Sequence, residues 1–221
     1  MEADAPDLDA LLRTLRVWDT DLPDFDPDRT PQDPLPLFTQ WFAEAVAAGQ
    51  REPHAPALAT TDADGHADVR VVMLHGADER GWHFASHAGS AKGRQLAGTP
   101  YAALGFYWSV QGRQVRVRGT VTTGAAEAAQ ADLHARSTGA LASALVGHQS
   151  EVLASQDELA RASAAAWERA QREPETVVAS WTVYALRPDE VEFFQGDARR
   201  RHVRLRYRRG DGHWHKELLW P

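Results

Sequence analysis

The feature that most limits how this chain can fold is a series of short segments in which apolar and polar residues alternate. In the segment Arg113–Thr122, Val115 and Val117 alternate with Gln114 and Arg116. A period of two places apolar residues on one face of a strand and polar residues on the other. Strands of a parallel α/β sheet are instead apolar on both faces. The alternation therefore predicts antiparallel strands.

Further segments have the composition of strands and are separated by turn residues. They are Ala57–Thr61, Ala67–Leu74, Trp82–Ser86, Tyr101–Ser109, Val177–Leu186, Glu190–Phe194, Val203–Arg208 and His213–Leu219. Turns at Asp62–Gly65 and Gly76–Arg80 separate the first three, which we expect to form an antiparallel meander. Gly210–Gly212 joins the last two and is a typical hairpin connection.

Other segments have apolar residues at helical spacing. They are residues 7–18, Leu37–Gly49, a short helix ending near Gly98, Ala125–Arg136, Ala140–Gly147 and Asp157–Gln171. Six to eight antiparallel strands with helices interposed predict a mainly β protein with some α-helix. The expected architecture is a β-barrel of antiparallel strands with peripheral helices, and not a parallel α/β sheet.

Charge is concentrated at the two ends of the chain. Residues 1–35 contain ten acidic residues and three arginines, so this segment alone carries the chain's net charge of −7. We expect it to form a short helix and an extended arm, with residues 36–221 as the main domain. That domain has equal numbers of acids and bases, which gives no support for nucleic-acid binding. Its last 25 residues hold eight bases and three acids, which predicts a local anion site.

Several classes of protein are excluded or lack support. The chain has no run of 18 apolar residues that could span a membrane, and its acidic start lacks the features of a secretory signal. It has no cysteine, which excludes disulfides and zinc–thiolate sites, and we expect a cytoplasmic protein. No dinucleotide fingerprint or phosphate loop occurs. The close histidine pair His213 and His215 has no third ligand nearby, so we predict no metal site.

A set of polar residues lies on or just after the predicted strands: Arg70, Ser86, Lys92, Gln114 and the pair Gln149–Ser150. Arg70 is either a surface residue of a half-exposed strand or a phosphate clamp. Lys92 lies at a helix start in a Gly/Ser loop. It is either a solvated turn residue or a phosphate ligand that acts together with backbone N–H groups. Combined with the basic C-terminus, these residues suggest a phosphorylated ligand.

A longer set of motifs runs through most of the chain. They are Val69-Arg-Val-Val-Met-Leu74, Asp78-Glu-Arg-Gly81, Phe84-Ala-Ser-His87, Ser90-Ala-Lys-Gly-Arg-Gln-Leu96, Tyr107-Trp108, Arg113-Gln-Val-Arg116, His148-Gln-Ser150, Val191-Glu-Phe-Phe-Gln-Gly196 and Arg200-Arg-His-Val-Arg204. In order and spacing they resemble the pyridoxamine 5'-phosphate oxidase family. The resemblance extends from about Pro34 to Pro221, the family's full catalytic length.

This resemblance implies a split β-barrel homodimer that holds FMN at the subunit interface with residues of both chains. The implied cofactor-binding residues are Arg70, Val71, Val72, Met73, Ala85, Ser86, Lys92, Gln114, Gln149, Ser150, Phe194 and Arg204. Those at 70, 86 and 92 match contacts of the flavin phosphate and ribityl chain, and those at 114 and 204 match contacts near the isoalloxazine. Residues 149 and 150 match the positions that reach in from the partner subunit. Ala91 and Phe194 depart from the usual arginine and tryptophan.

The substrate positions depart further from the family pattern. Where vitamin-oxidising members hold the substrate phosphate with lysine, tyrosine, arginine and serine, this chain has His75, Asp132, Arg136 and Ala140. A carboxylate close to a phosphate costs on the order of kcal/mol, which predicts weak binding of pyridoxine and pyridoxamine phosphates.

The family's Arg-x-His substrate contacts are matched by Arg200 and His202, which we predict to be the catalytic residues. Two roles stay open for His202. It either relays a proton or forms a hydrogen bond without proton transfer.

The segment Phe84–Arg94 is similar to that of the phenazine-biosynthesis branch of the family. The resemblance therefore implies an FMN-dependent, peroxide-forming oxidase of secondary metabolism. In it, a small reduced substrate, an N-heterocycle such as a phenazine precursor, passes a hydride to FMN, and dioxygen is the electron acceptor. Two other functions stay open: a true pyridoxine/pyridoxamine 5'-phosphate oxidase, which makes pyridoxal 5'-phosphate, and a non-catalytic flavin-binding module.

Overall fold

The structure is a computed structural model, and it describes residues 7–18 and 20–221. Its helices are α1 (Leu8–Thr14), α2 (Pro34–Ala47), α3 (Ala91–Gly98), α4 (Ala126–His134), α5 (Thr138–Val146) and α6 (Gln156–Arg172). None of these helices is both long and apolar enough to cross a membrane. Residues 1–6 and Asp19 of the predicted acidic segment lie outside the described ranges.

Within the described ranges, nine strands form one antiparallel sheet that is not closed. They are β1 (Ala57–Thr61), β2 (Ala67–Val71), β3 (Gly76–Asp78), β4 (Gly81–His87), β5 (Tyr101–Trp108), β6 (Arg113–Thr123), β7 (Trp181–Gln195), β8 (Val203–Gly210) and β9 (His213–Leu219). Their order is β2-β1-β5-β6-β7-β4-β3, with β8 beside β7 and β9 beside β8. The predicted fold class, antiparallel strands with peripheral helices, is confirmed.

Helix α2 covers the inner face of the sheet. The side chain of Asp33 caps its start by accepting a backbone N–H of the first turn at 2.9 Å. Phe38 packs edge-to-face on Trp82, and Trp41 does so on Phe193. Full burial of a large apolar side chain contributes about 1.5–3 kcal/mol. This aromatic cluster therefore holds β4 and β7 against the helix.

The predicted meander is wrong in its last step. β1 and β2 pair as expected, with Ala57 opposite Val71, but β4 pairs with β7 instead of β2. Phe84 of β4 lies opposite Tyr184 of β7, and their rings stack at 5.2 Å. The apolar inner face of β4 is buried by this long-range pairing, which sequence adjacency does not reveal.

The two strands predicted at Val177–Leu186 and Glu190–Phe194 are one strand, β7. Pro188, which lies between them, has no N–H to donate to a neighbouring strand. A register shift at Arg118/Gly119 of β6 accommodates it. A Cβ at Gly119 would lie 2.1 Å from the carbonyl oxygen of Arg187, so this close approach requires glycine. β7 can then pair with β6 on both sides of the proline.

The helices α4, α5 and α6 form a second apolar cluster beside the sheet. Its buried residues include Leu133, Leu141, Ala170 and Val178. Ser155 caps α6 by accepting the N–H of Glu158 at 3.1 Å. This layer carries α4 and the α4–α5 connection, which supply two of the predicted substrate-site residues.

The arm packs against the C-terminal strands. Tyr207 donates a hydrogen bond to the carbonyl of Pro31 at 2.8 Å, and Lys216 donates to that of Thr30 at 3.1 Å. α1, in contrast, is exposed on all sides. Since α2 belongs to the core and starts at Pro34, the division at residue 35 stays a prediction.

Candidate functional site

Lys92 lies in a cluster of uncharged hydrogen-bonding groups at the start of α3. Ser90 caps this helix by accepting the N–H of Gly93 at 3.2 Å. The Nζ of Lys92 lies 3.1 Å from Ser86 Oγ, 3.5 Å from Ser90 Oγ and 3.2 Å from Gln149 Oε1. Among the described residues no carboxylate forms an ion pair with it. The cluster therefore has positive charge available for an anion.

Arg70 projects from the edge strand β2 toward the inner face of the sheet. It lies opposite the buried Leu58, and its guanidinium bonds Thr60 and Asp68. A further hydrogen bond at 3.0 Å joins it to Gln95 of α3. The guanidinium is thus held beside the helix that carries Lys92, and the two predicted phosphate ligands come together.

The electrostatics of this cluster fit a bound phosphate. Burial and then the charge of Arg70 lower the pKa of Lys92. Burial and then Lys92 lower the pKa of the neighbouring His87. The charge of Asp68, which is paired with Arg70, acts in the opposite direction and raises the pKa of Lys92. A phosphate dianion with three acceptor oxygens matches this set of cations and hydroxyl groups.

The structure places Gln149 and Ser150 at the Lys92 cluster of their own chain. Their predicted contact with the flavin of a partner subunit stays a prediction. Gln149 Oε1 accepts a hydrogen bond from Ser86 at 3.2 Å, and Ser150 Oγ accepts the N–H of Ala91 at 3.1 Å. Positive φ angles at 147, 148 and 150 turn the chain back after α5. The sequence alone did not reveal this reversal.

Four side chains form a row across the other face of the sheet. Tyr107 of β5 lies opposite Gln114 of β6, which lies opposite Phe194 of β7, which lies opposite Arg204 of β8. Directly opposed residues of antiparallel strands share a face. Gln114 and Arg204, the two residues predicted to lie near the isoalloxazine, therefore share one row with Phe194, and Tyr107 extends it.

Arg204 is oriented by a buried carboxylate. Its Nε donates to Glu192 Oε1 at 2.8 Å, and Arg116 bonds the other oxygen of the same carboxylate. The Glu192 bond raises the pKa of Arg204. Arg204 also donates to the carbonyl of Trp220 at 2.9 Å. The end of the row is thus a fixed cation.

The remaining predicted flavin positions have apolar side chains. Val71 and Met73 are exposed, whereas Val72 belongs to the core. The N–H of Val72 donates to the carbonyl of Pro56 at 3.0 Å. Ala85 is half-buried on β4, directly before Ser86. Their contact with a flavin stays a prediction.

Arg200 and His202 lie in the loop after β7, next to the row. The ring of His202 lies 5.1 Å from that of Phe194. Its Nδ1 accepts the backbone N–H of Asp197 at 3.0 Å. A neutral imidazole that accepts at Nδ1 carries its proton on Nε2. The geometry therefore favours hydrogen-bond donation by His202 over abstraction of a proton.

Sequence reasoning missed Trp18, which lies over this pair. Its ring is 4.6 Å from His202 in an edge arrangement, and the Arg200 guanidinium lies 5.2 Å from its centroid. It fits a notch at Gly112 and Gly196, where an added Cβ would come within 3.0 Å of the indole. The two glycines were the available sequence signal, but only the fold pairs them with a tryptophan from the arm.

His75, Asp132 and Arg136 come together at a separate cluster. Arg136 donates to Asp132 from Nε at 2.9 Å and from Nη2 at 3.0 Å. The same Nη2 lies 2.5 and 2.9 Å from the two ring nitrogens of His75. Trp181, which sequence reasoning also missed, donates from Nε1 to Asp132 Oδ2 at 3.0 Å. We call these four residues the Arg136 cluster.

The Arg136 cluster is electrically neutral at pH 7. Burial raises the pKa of Asp132, but hydrogen bonds from Arg136 and Trp181 outweigh it and bring the pKa below its usual value. Burial and then the charge of Arg136 lower the pKa of His75. The aspartate is thus ionised and the histidine neutral, and Asp132 balances the charge of Arg136.

One group of residues outside these clusters has metal-ligand types in proximity. Asp62, Asp64 and His66 lie in the β1–β2 turn with ligand atoms within 4.8 Å of one another. Asp62 accepts the backbone N–H groups of the other two at 3.0 and 2.8 Å. The group is a hydrogen-bonded turn.

Comparison with known proteins places the fold and these residues in context. A family model described as pyridoxamine 5'-phosphate oxidase matches residues 42–170. The chain belongs to the pyridoxamine 5'-phosphate oxidase family. A second model, described as a pyridoxine 5'-phosphate oxidase C-terminal dimerisation region, matches residues 181–221. The family's enzymes bind FMN, which confirms the expected cofactor.

Relatives within the family have two kinds of name. A pyridoxine/pyridoxamine 5'-phosphate oxidase of Pseudomonas paraeruginosa is 42% identical over 86% of this chain and 90% of the relative. One of Salinibacter ruber is 42% identical over 88% and 92%. A solved structure of PhzG from Burkholderia lata, in complex with tetrahydrophenazine-1-carboxylic acid, has a TM-score of 0.83 and 31% identity, covering 92% of this chain and 98% of that one.

Proposed function

We propose that this protein is an FMN-dependent, peroxide-forming oxidase of a small reduced N-heterocycle that carries no phosphate. The proposal rests on the contrast between Lys92, which forms no ion pair among the described residues although the neighbouring Arg70 is paired with Asp68, and Arg136, which is paired with Asp132. The Arg136 cluster occupies the positions at which the resemblance expects the phosphate of a B6 substrate. The PhzG structure supports a ring substrate of the phenazine type for this chain.

FMN, when bound, would supply the redox chemistry, which is hydride acceptance from the substrate and reoxidation by dioxygen to give hydrogen peroxide. Arg70, Ser86 and Lys92 would hold its phosphate. The row of Gln114, Phe194 and Arg204 would contact its ring. These residues bind and orient, and leave the chemistry to the cofactor.

Arg200 and His202 orient the substrate beside this row. His202 donates a hydrogen bond from Nε2, because the Asp197 N–H occupies Nδ1. Trp18 covers the pair and excludes water from that side. Fixing two rings in a reactive arrangement can supply a large part of a rate acceleration.

The same geometry supports a homodimer. Within one chain, Arg70 projects to the inner face of the sheet, whereas the row lies on the other face. We infer that a flavin whose phosphate lies in one chain's Lys92 cluster meets the row of the partner. The match to the dimerisation region supports this arrangement. A cytoplasmic location stays part of the proposal.

A second candidate is a true pyridoxine/pyridoxamine 5'-phosphate oxidase. The names of the relatives at 42% identity favour it. It would require the ion pair between Asp132 and Arg136 to break, or other arginines to bind the substrate phosphate.

Anaerobic reduction of the FMN-loaded protein separates the two candidates. Loss of the visible absorbance band of oxidised flavin is recorded with two substrates. One is a dihydro- or tetrahydrophenazine carboxylic acid, and the other is pyridoxine 5'-phosphate. We expect rapid bleaching with the first and little with the second. Admission of air should then restore the colour and release one peroxide per flavin. Rapid bleaching by pyridoxine 5'-phosphate alone would establish the second candidate instead.

A further inference from the structure

The contacts within the Arg136 cluster limit which group of a substrate it can bind. Its central contact is the ion pair between Asp132 and Arg136, whose side chains are 24% and 23% exposed. The pair joins residues four apart at the end of α4. Partial burial makes the pair harder for solvent to screen than an exposed one.

Trp181 prevents the aspartate from leaving this pair. Its Nε1 donates to Asp132 Oδ2 at 3.0 Å, while its ring lies 5.0 Å from the guanidinium carbon of Arg136. One side chain therefore holds both members of the pair. Trp181 is a positioning residue, since it acts on the ligand site only through its neighbours.

The hydrogen bonds leave Arg136 with few free donors. Its Nε and Nη2 are used by Asp132 and His75. Within the part of the chain that the structure describes, Nη1 forms no hydrogen bond, so two N–H groups stay available. The two N–H bonds of one nitrogen diverge, so a single acceptor oxygen takes one of them. A phosphate needs more donors and a net positive charge.

We propose that Asp132, held by Trp181, selects a substrate whose end at this cluster is a single oxygen acceptor, such as a ring carbonyl, and discriminates against a phosphate dianion. The inference rests on the proposed function for the placement of the cluster beside the substrate. It adds a specificity-determining residue and the chemical class of the group recognised.

The test is equilibrium binding to the FMN-loaded protein, followed by the flavin absorbance change. Pyridoxine and pyridoxine 5'-phosphate share a ring and differ by the phosphate, so the ratio of their dissociation constants isolates that group. In the wild type we expect the phosphate to bring no gain in affinity. In Asp132→Asn, which keeps the shape and removes the charge, we expect the ratio to shift toward the phosphate ester by roughly tenfold or more.

Glu173→Gln is the matched control. Glu173 forms an ion pair with Arg169, also four residues apart near a helix end, with Nε to Oε2 at 3.1 Å and side chains 54% and 52% exposed. Glu173→Gln removes the same charge from the protein as Asp132→Asn. We expect it to leave the ratio of the two dissociation constants unchanged. Trp181→Phe keeps an aromatic ring and removes the N–H. It should shift the ratio in the direction of Asp132→Asn, by less.

The outcomes separate this inference from the proposed function. Wild-type protein that binds the phosphate ester at least ten times more tightly than pyridoxine would overturn the inference, and so would an unchanged ratio in Asp132→Asn with native near-ultraviolet circular dichroism. If Asp132→Asn misfolds, Trp181→Phe decides by the same ratio. Failure of every reduced ring to bleach the flavin, with the ratio shifting as expected, would remove only the proposed oxidase activity.

Discussion

The Lys92 and Arg136 clusters are both built around a partly buried cation, yet they suit opposite ligands. Among the residues that the structure describes, Lys92 forms hydrogen bonds with hydroxyl and amide groups only. Arg136 donates twice to a carboxylate that Trp181 fixes in place. The charge of Lys92 is therefore available to a ligand, whereas Asp132 neutralises the charge of Arg136 within the protein. The number of cations in a site therefore says less about its ligand than the partners of each cation.

The comparison also separates cofactor from substrate. Residues of the Lys92 cluster match the family at Arg70, Ser86 and Lys92, and the structure brings them together. The Arg136 cluster keeps only the arginine. Retention at one site and change at the other are the basis of the proposal that FMN serves a substrate without a phosphate.

The largest expected effect is the loss of FMN affinity when the cations of the Lys92 cluster are removed. In Arg70→Ala/Lys92→Ala, two charge-assisted hydrogen bonds to the flavin phosphate are lost, at about 1.5–3 kcal/mol each. We expect FMN affinity to fall on the order of a hundredfold or more, measured by fluorescence titration of released flavin. Lys216→Ala removes the other lysine, which bonds Thr30, and should retain the cofactor. Equal retention by both proteins would refute the phosphate assignment.

The next largest effect is expected at Trp18, which lies over the predicted substrate contacts Arg200 and His202. Trp18→Ala removes the ring over Arg200 and His202, and we expect KM for the ring substrate to rise about tenfold, as for a buried aromatic contact, while FMN binding is unchanged. Gly112→Val should act in the same direction, because its side chain would meet the indole. Trp220→Ala is the control, since that side chain is 93% exposed. An unaltered KM in both Trp18→Ala and Gly112→Val would remove Trp18 from the site.

Mixing two inactive variants tests whether the clusters of one chain serve one flavin. Arg70→Ala/Lys92→Ala lacks the phosphate site, and Arg200→Ala/His202→Ala lacks the substrate contacts. If each flavin is shared between subunits, random exchange restores about a quarter of wild-type activity, since half the dimers are mixed and each holds one intact site. Each variant mixed with itself is the control. Absence of recovery in dimers shown to have exchanged would place the whole site within one chain.

The smallest effect is on stability against pH. Burial lowers the pKa of both His75 and His87, so protonation costs more in the folded chain than in the unfolded one. The unfolding free energy should therefore fall as the pH drops below the ordinary histidine value of about 6.5. Urea unfolding at mildly acidic and neutral pH measures this.

His87→Gln should flatten that pH dependence. A matching change at the exposed His213, His213→Gln, should leave it as it is. A wild-type protein equally stable on both sides of the histidine range would contradict the burial argument.

The sequence by itself determined the antiparallel fold class, most strand positions and the family's cofactor, because alternation and turn chemistry are local and the motifs are read in order. β1 and β9 have the predicted bounds. It did not determine the pairing of β4 with β7 or the continuity of β7 past Pro188. Those depend on burial across long loops and on a bulge at Gly119, which no local pattern encodes.

At the site, the sequence named Arg70, Lys92, Asp132 and Arg136 but not their partners. Only the tertiary structure turned the chain after α5 so that Gln149 meets Lys92 of the same chain, set Trp18 over His202, and placed Trp181 on Asp132. Each of these contacts joins residues far apart in sequence. The sequence shows which side chains are charged. Whether a charge is paired depends on distances of a few ångströms to other groups, and the tertiary structure sets those distances.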